Sequence, residues 1–201
     1  MQDKRIQYLT RLAVFVAVTL VMAYTPLGYL RTPGLEITFL MIPVTVGAIV
    51  LGPAAGAILG GVFGLTSFFQ CLDGSSWFGA TLLSINPVST CILCLVPRIL
   101  AGLLPGLLFS ALGRRRGLGF CAAAALLGPV MNTVLFVGGL GLLFFHTDFI
   151  QEMAAGAPFL AFCVAFVGVQ GVVEAAACCL ISTPVAKALL HVNWSLGRRT
   201  A

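Results

Sequence analysis

Four residues carry polar chemistry into otherwise apolar stretches. They are Arg98 in "CILCLVPRILAGLLPGLLFSAL" (91–112), Asn132 in "GPVMNTVLF", and Gln170 and Glu174 in the last long apolar run. A charged side chain at the centre of a membrane helix costs about 2.5–3.5 kcal/mol, so such residues need a partner, water or a ligand. Arg98 has no acidic neighbour in sequence. Its guanidinium is a planar fork matched to a carboxylate. Pro97, just before it, lacks a backbone donor and leaves a carbonyl free, which suits a cavity wall. Two structural alternatives stand beside anion binding: an ion pair with Glu174, and a head that snorkels to the lipid headgroups. Arg98 lies seven residues into its expected helix, and Glu174 about fifteen into its own. At 1.5 Å per residue that separates them by roughly 12 Å along the membrane normal. For Glu174 the favoured reading is a structural lock, hydrogen-bonded to Asn132 or to Gln170 one turn away on the same face.

The rest of the chain explains why these few groups stand out. Of 201 residues, 60% are hydrophobic and 8% are charged, with a mean hydropathy of +1.09. A soluble domain of this size needs far more polar cover, so the chain is read as an integral membrane protein. The net charge of +5 falls in short clusters between apolar runs, which suits topology rather than nucleic acid. The seven cysteines lie in or beside the apolar runs and read as small packing residues. Cys91 and Cys94 have ligand spacing but no second pair and no nearby His, so no metal and no cofactor is expected. The basic start and the apolar run from Leu12 to Tyr24 resemble a signal peptide. Without a clear small-x-small cleavage site, a retained first helix is the expectation.

Apolar length divides the chain into six expected transmembrane helices, about 11–30, 37–52, 54–71, 91–112, 118–145 and 159–190. They are read as one all-α transmembrane domain over residues 1–201. The second is short and meets the third at Gly52-Pro53 in a tight turn. Lys4, Arg5 and Arg11, then Arg114, Arg115 and Arg116, then Lys187, Arg198 and Arg199 fall on one side of such a bundle. The positive-inside rule makes that side, with both termini, cytoplasmic in a cell membrane. Glu36, Asp73, Asp148 and Glu152 fall on the other side, against Arg31 alone. The outer stretch 72–90, "LDGSSWFGATLLSINPVST", is long for a connection and reads as a functional loop. Phe68, Trp77 and Asn86 in or beside it are candidate binding residues, together with Arg98, Asn132, Gln170 and Glu174.

Small residues form stripes. Gly52, Gly56, Gly60 and Gly64 recur every four residues, and Gly102 and Gly106 repeat the spacing, as close helix packing within the chain requires. Ala13 and Ala17 make an A-x-x-x-A pair near the basic flank of the first helix, a weak signal alone but placed where a partner helix could dock.

The six-helix pattern, "IPVTVGAIVLGPAAGAILGGVFGLTSF" at 42–68, "VPRILAG" at 96–102, Asn132-Thr133 and Glu174 together resemble the substrate-binding S components of energy-coupling factor (ECF) vitamin transporters. The resemblance runs from Ala13 to about Lys187. It implies a membrane subunit that captures a vitamin in an outward-facing pocket. It also implies docking through Ala13 and Ala17 on a transmembrane coupling subunit powered by two separate ATP-hydrolysing subunits. The chain itself is then no enzyme, in keeping with its lack of a G-x-x-x-x-G-K-[ST] phosphate loop. The 42–68 and 96–102 segments look most like the pantothenate-type group, whose ligand carboxylate would answer Arg98. Riboflavin-type members carry an acidic residue just before the Ile-Pro, where this chain has Met41, while Phe68, Phe69, Trp77 and Phe78 would suit a flat ring. Another vitamin is a further alternative. A channel or autonomous carrier is the rival of a different class, but no internal repeat supports it.

Overall fold

The computed structural model describes all residues except 1, 27, 33–34, 112–116, 155 and 200–201, and leaves aside the side chains of 2–4, 30–32, 35–36, 160, 165–167, 169 and 193–199. The Arg114–Arg116 cluster and the side chains of Lys4, Arg31, Glu36, Arg198 and Arg199 therefore lie outside what is described.

Among the described residues eight helices follow one another as α1 (Gln2–Ala23), α2 (Met41–Leu51), α3 (Pro53–Leu72), α4 (Trp77–Ile85), α5 (Pro87–Ala111), α6 (Leu118–Phe144), α7 (Asp148–Ala154) and α8 (Phe159–Arg199). Five of them are long and apolar enough to cross a bilayer. The short α2 is not, since its 11 residues rise about 16 Å against a hydrocarbon core of about 30 Å. It sits instead in the middle, packed on α1, α3, α5, α6 and α8, with Met41 and Pro43–Ile49 all buried.

The all-α expectation needs one correction. A helix was expected over 11–30, but α1 ends at Ala23, and strands β1 (Tyr29–Thr32) and β2 (Leu35–Thr38) follow as an antiparallel hairpin. Pro26 lacks the N–H that would continue the helix. Gly28 then lets the chain fold back, because a Cβ there would collide with the Met22 carbonyl. The stretch 72–90 is likewise not a plain loop. Ser76 accepts from the Gly79 amide at 3.3 Å and caps α4. Asn86 accepts from the Ser89 amide at 3.1 Å, and Pro87 opens α5 four residues earlier than expected.

The glycine stripe fixes the closest contact in the bundle. A Cβ on Gly56 would strike the Gly102 carbonyl, one on Gly60 the Arg98 carbonyl, and one on Gly64 would lie 2.8 Å from the Cys94 carbonyl oxygen. Three successive turns of α5 thus rest their backbone on α3, and Arg98 is held by its own main chain. The Gly52-Pro53 turn, with Gly52 at φ 101°, docks against Gly106 in the same way. Three buried clusters fill the space between helices. Leu82, Leu93, Leu140, Phe144, Ile150 and Phe162 pack at the α4–α7 end, Leu40, Met41, Val44, Leu59 and Phe63 around α2, and Val46, Ile49, Ala124, Ala125 and Ala186 beyond it. Outward-facing Val, Leu and Ile side chains are exposed along every long helix, as lipid contact requires.

Gly60→Val should overpack the α3–α5 contact and cost about 1–3 kcal/mol, read as a lower melting temperature in detergent. Gly61→Val is the control. Its Cβ meets only Ile99 Cγ1, at 3.8 Å, and the melting temperature should hold.

Candidate functional site

The site is built around a gap in a helix ladder. In α5 the amide of residue 97 would bond the carbonyl of Leu93, but Pro97 has no N–H to give. The next residue fills the vacancy with its side chain: Arg98 Nη1 donates to the Leu93 carbonyl at 2.6 Å. The guanidinium is thereby folded back along its own helix and lies between two aromatic rings. Its Cζ is 5.6 Å from the Phe63 centroid on α3 and 4.8 Å from the Phe136 centroid on α6, both in cation–π range.

Among the described residues this cation has no carboxylate in contact. Arg98 is 9% exposed, and its Nε is buried with no hydrogen-bond partner. Among the described residues no carboxylate oxygen lies within 4.0 Å of it, so the ion pair with Glu174 is not formed. The depth comparison changes as well. Counted from Pro87, Arg98 stands eleven residues into α5, against fifteen for Glu174 from Phe159. The offset falls to about 6 Å at 1.5 Å per residue.

Asn132 lies one turn before Phe136 on α6 and is 7% exposed, with its Oδ1 buried and unpartnered. A buried acceptor without a donor is costly unless something else supplies one. Arg98 and Asn132 thus stand on neighbouring helices that pack together, each with a buried polar atom left unpartnered: a cationic donor and a neutral acceptor.

Glu174 has a different occupation. Its Oε1 accepts from the Thr38 amide at 2.7 Å and from Gln170 Nε2 at 3.2 Å. Thr38 ends the hairpin, where non-helical backbone enters the bundle and its N–H needs an acceptor. Glu174 supplies one across the fold, and Gln170 steadies the carboxylate. Asn132 is not its partner.

The rim residues are more loosely tied to this centre. Trp77 is 67% exposed and packs edge-on against Phe149 of α7, with centroids 5.7 Å apart. Asn86 is exposed and serves as the cap of α5, and Phe68 is half-buried on α3. Phe63, not Phe68, is the α3 aromatic against Arg98. Sequence reasoning missed Phe63, Phe136, Leu93 and Thr38. Phe136 had a signal, standing four residues after Asn132 on the same helix face; Phe63 had none among fifteen phenylalanines. Ala13 and Ala17 are both exposed on α1, whereas Leu12, Phe15 and Val16 pack against the core around α2.

Comparison with known proteins gives the family and the fold. The family model for the ECF transporter substrate-specific component matches residues 7–186. The pantothenate transporter PanT of Leuconostoc mesenteroides is 30% identical over 126 residues, 60% of this chain and 59% of that protein. The pantothenic acid transporter PanT of Lactococcus lactis is 33% identical over 118 residues, 55% of this chain and 59% of its own length. The match thus spans about three fifths of these curated relatives. ThiT from Listeria monocytogenes shares the fold, with a TM-score of 0.64 and 20% identity over 96% of this chain and 98% of that one. The chain belongs to the family of substrate-specific components of ECF transporters.

Proposed function

We propose that the protein captures pantothenate and delivers it to an ECF importer. The observation that carries this reading is Arg98, a buried cation clamped between Phe63 and Phe136 with an unpartnered Nε and, among the described residues, no carboxylate within 4.0 Å. A ligand carboxylate supplies the missing charge, and the low-dielectric surroundings strengthen the bond. Pantothenate has that carboxylate, and it has hydroxyl and amide donors to answer Asn132 Oδ1. The two PanT relatives support the same choice. Glu174 and Gln170 hold the hairpin against the site rather than the ligand, while Trp77, Asn86 and Phe68 line its approach.

The working unit is one transmembrane domain with α2 as its sixth and shortest membrane segment, placed in the cell membrane with both termini cytoplasmic. Ala13 and Ala17 form the face that docks on a transmembrane coupling subunit, and two partner ATPases drive the cycle. The exposure of the α1 face supports this role: Leu9, Val14, Val18 and Val21 are exposed beside the two alanines.

Calorimetry of the detergent-purified protein with pantothenate tests the ligand. Arg98→Ala should weaken binding about 10- to 150-fold, the worth of a hydrogen bond to a charged group, and Arg98→Lys should recover only part of it because the fork is lost. Unchanged affinity in Arg98→Ala makes the arginine structural. Docking is read separately. Ala13→Trp and Ala17→Trp should abolish pantothenate uptake into vesicles holding the whole transporter while leaving binding to the isolated subunit intact. Loss of binding together with uptake refutes that division of labour.

A further inference from the structure

The sequence pairs Cys94 with Cys91 by spacing, but the fold pairs it with Cys71. Cys71 stands in the last turn of α3 and Cys94 two turns into α5, and their sulfurs are 3.9 Å apart. Both are buried, at 4% and 5% exposure, and neither is in a disulfide. Cys91, only half-buried, does not join them. The surroundings confine the pair. Gly79 of α4 lies directly on the Cys71 sulfur, where a Cβ would collide, and Gly64 brings the α3 backbone against the Cys94 carbonyl. Joining the sulfurs asks that this 3.9 Å gap close to a bond of about 2.05 Å.

We propose that Cys71 and Cys94 are an oxidisable dithiol site, converted by a peroxide into a disulfide that staples α3 to α5 beside Arg98. In the first step one thiol sulfur attacks a peroxide oxygen. The S–O bond forms, the O–O bond breaks, and the leaving hydroxide takes the thiol proton as water. The second thiol then attacks the sulfenic sulfur, so the S–S bond forms, the S–O bond breaks, and a second water leaves. Two thiols are oxidised and one hydrogen peroxide is reduced to two waters. The bond closes the segment 71–94, which contains all of α4, and its Cys94 end adjoins the Leu93 carbonyl that positions Arg98. Stapled there, the wall of the site cannot separate from α3, and ligand exchange slows. This consequence rests on the reading of Arg98 as the ligand's anchor; the cross-link itself does not.

The experiment is titration of the intact, detergent-purified protein with hydrogen peroxide, read by intact mass and peptide mapping after thiol alkylation. The expected product has lost two hydrogens, yields a Cys71–Cys94 linked peptide, reverts with dithiothreitol, and melts about 5 °C or more above the reduced form. Cys71→Ser and Cys94→Ser should abolish all of this, while Cys91→Ser should leave it intact. Sulfinic or sulfonic adducts in place of the link, or a link through Cys91, overturn the site. Release of labelled pantothenate should be at least about five-fold slower from the cross-linked protein than from the reduced one. Equal rates in fully cross-linked protein overturn the coupling to the site. If neither form binds pantothenate, the ligand assignment fails and the cross-link stands or falls by mass alone.

Discussion

The structure turns on one missing hydrogen bond. Pro97 cannot bond the Leu93 carbonyl, and in an apolar bundle that carbonyl must find a donor. Arg98 provides it, and the geometry of that single contact decides where the guanidinium lies. Held back along α5, the guanidinium cannot reach towards the lipid headgroups, and it is boxed in by Phe63 and Phe136. The proline therefore does more than loosen a helix wall. It converts a flexible, far-reaching side chain into one held along its own helix, with a buried Nε left unpartnered. Preorganisation of this kind lowers the entropy lost when a ligand binds.

That contact works only if α5 itself is fixed, and the glycines of α3 do this. Gly56, Gly60 and Gly64 receive the carbonyls of Gly102, Arg98 and Cys94, so the two helices approach as closely as backbones can. Packing of this type needs no polar partner and is effective in lipid, where the hydrophobic effect does not drive helices together. On the other flank, Glu174 ties the end of the hairpin to α8 through the Thr38 amide. The two buried ionisable residues have thus divided their tasks. Glu174 satisfies protein backbone at the point where irregular chain enters the bundle, whereas Arg98 keeps a buried Nε with no hydrogen-bond partner.

Much of this was legible in the sequence because it depends on local chemistry. The apolar runs gave the long helices, the four-residue glycine spacing gave the close packing, and Pro97 beside Arg98 marked a freed carbonyl in a wall. The hairpin at 29–38 was not read. Its segment carries Arg31, Pro33, Gly34 and Glu36, which read as the connection between two spans, and the signals that end α1, Pro26 and Gly28, stand inside a run long enough to pass for a span. The α4 helix was hidden for another reason: Gly, Ser and Asn suggest a loop, yet Ser76 caps the start of α4 and Asn86 the start of α5. Phe63 and Phe136 were out of reach, since ring-to-guanidinium contacts arise from the packing of three separate helices. The same holds for Cys71, whose neighbour on α5 is set by the glycine contact and not by spacing along the chain.

Membership of the ECF substrate-specific components fits a body with an apolar exterior, an exposed first helix and a buried arginine that, among the described residues, has no carboxylate in contact. The central claim is that this cation reads a carboxylate. The most direct measurement is calorimetric titration of the wild-type protein with pantothenate beside panthenol, the analogue in which an uncharged alcohol replaces the carboxylate. If Arg98 is the anchor, panthenol should bind at least about tenfold more weakly, as loss of a charge-assisted hydrogen bond demands. Equal affinities would contradict the account and return Arg98 to a purely structural role.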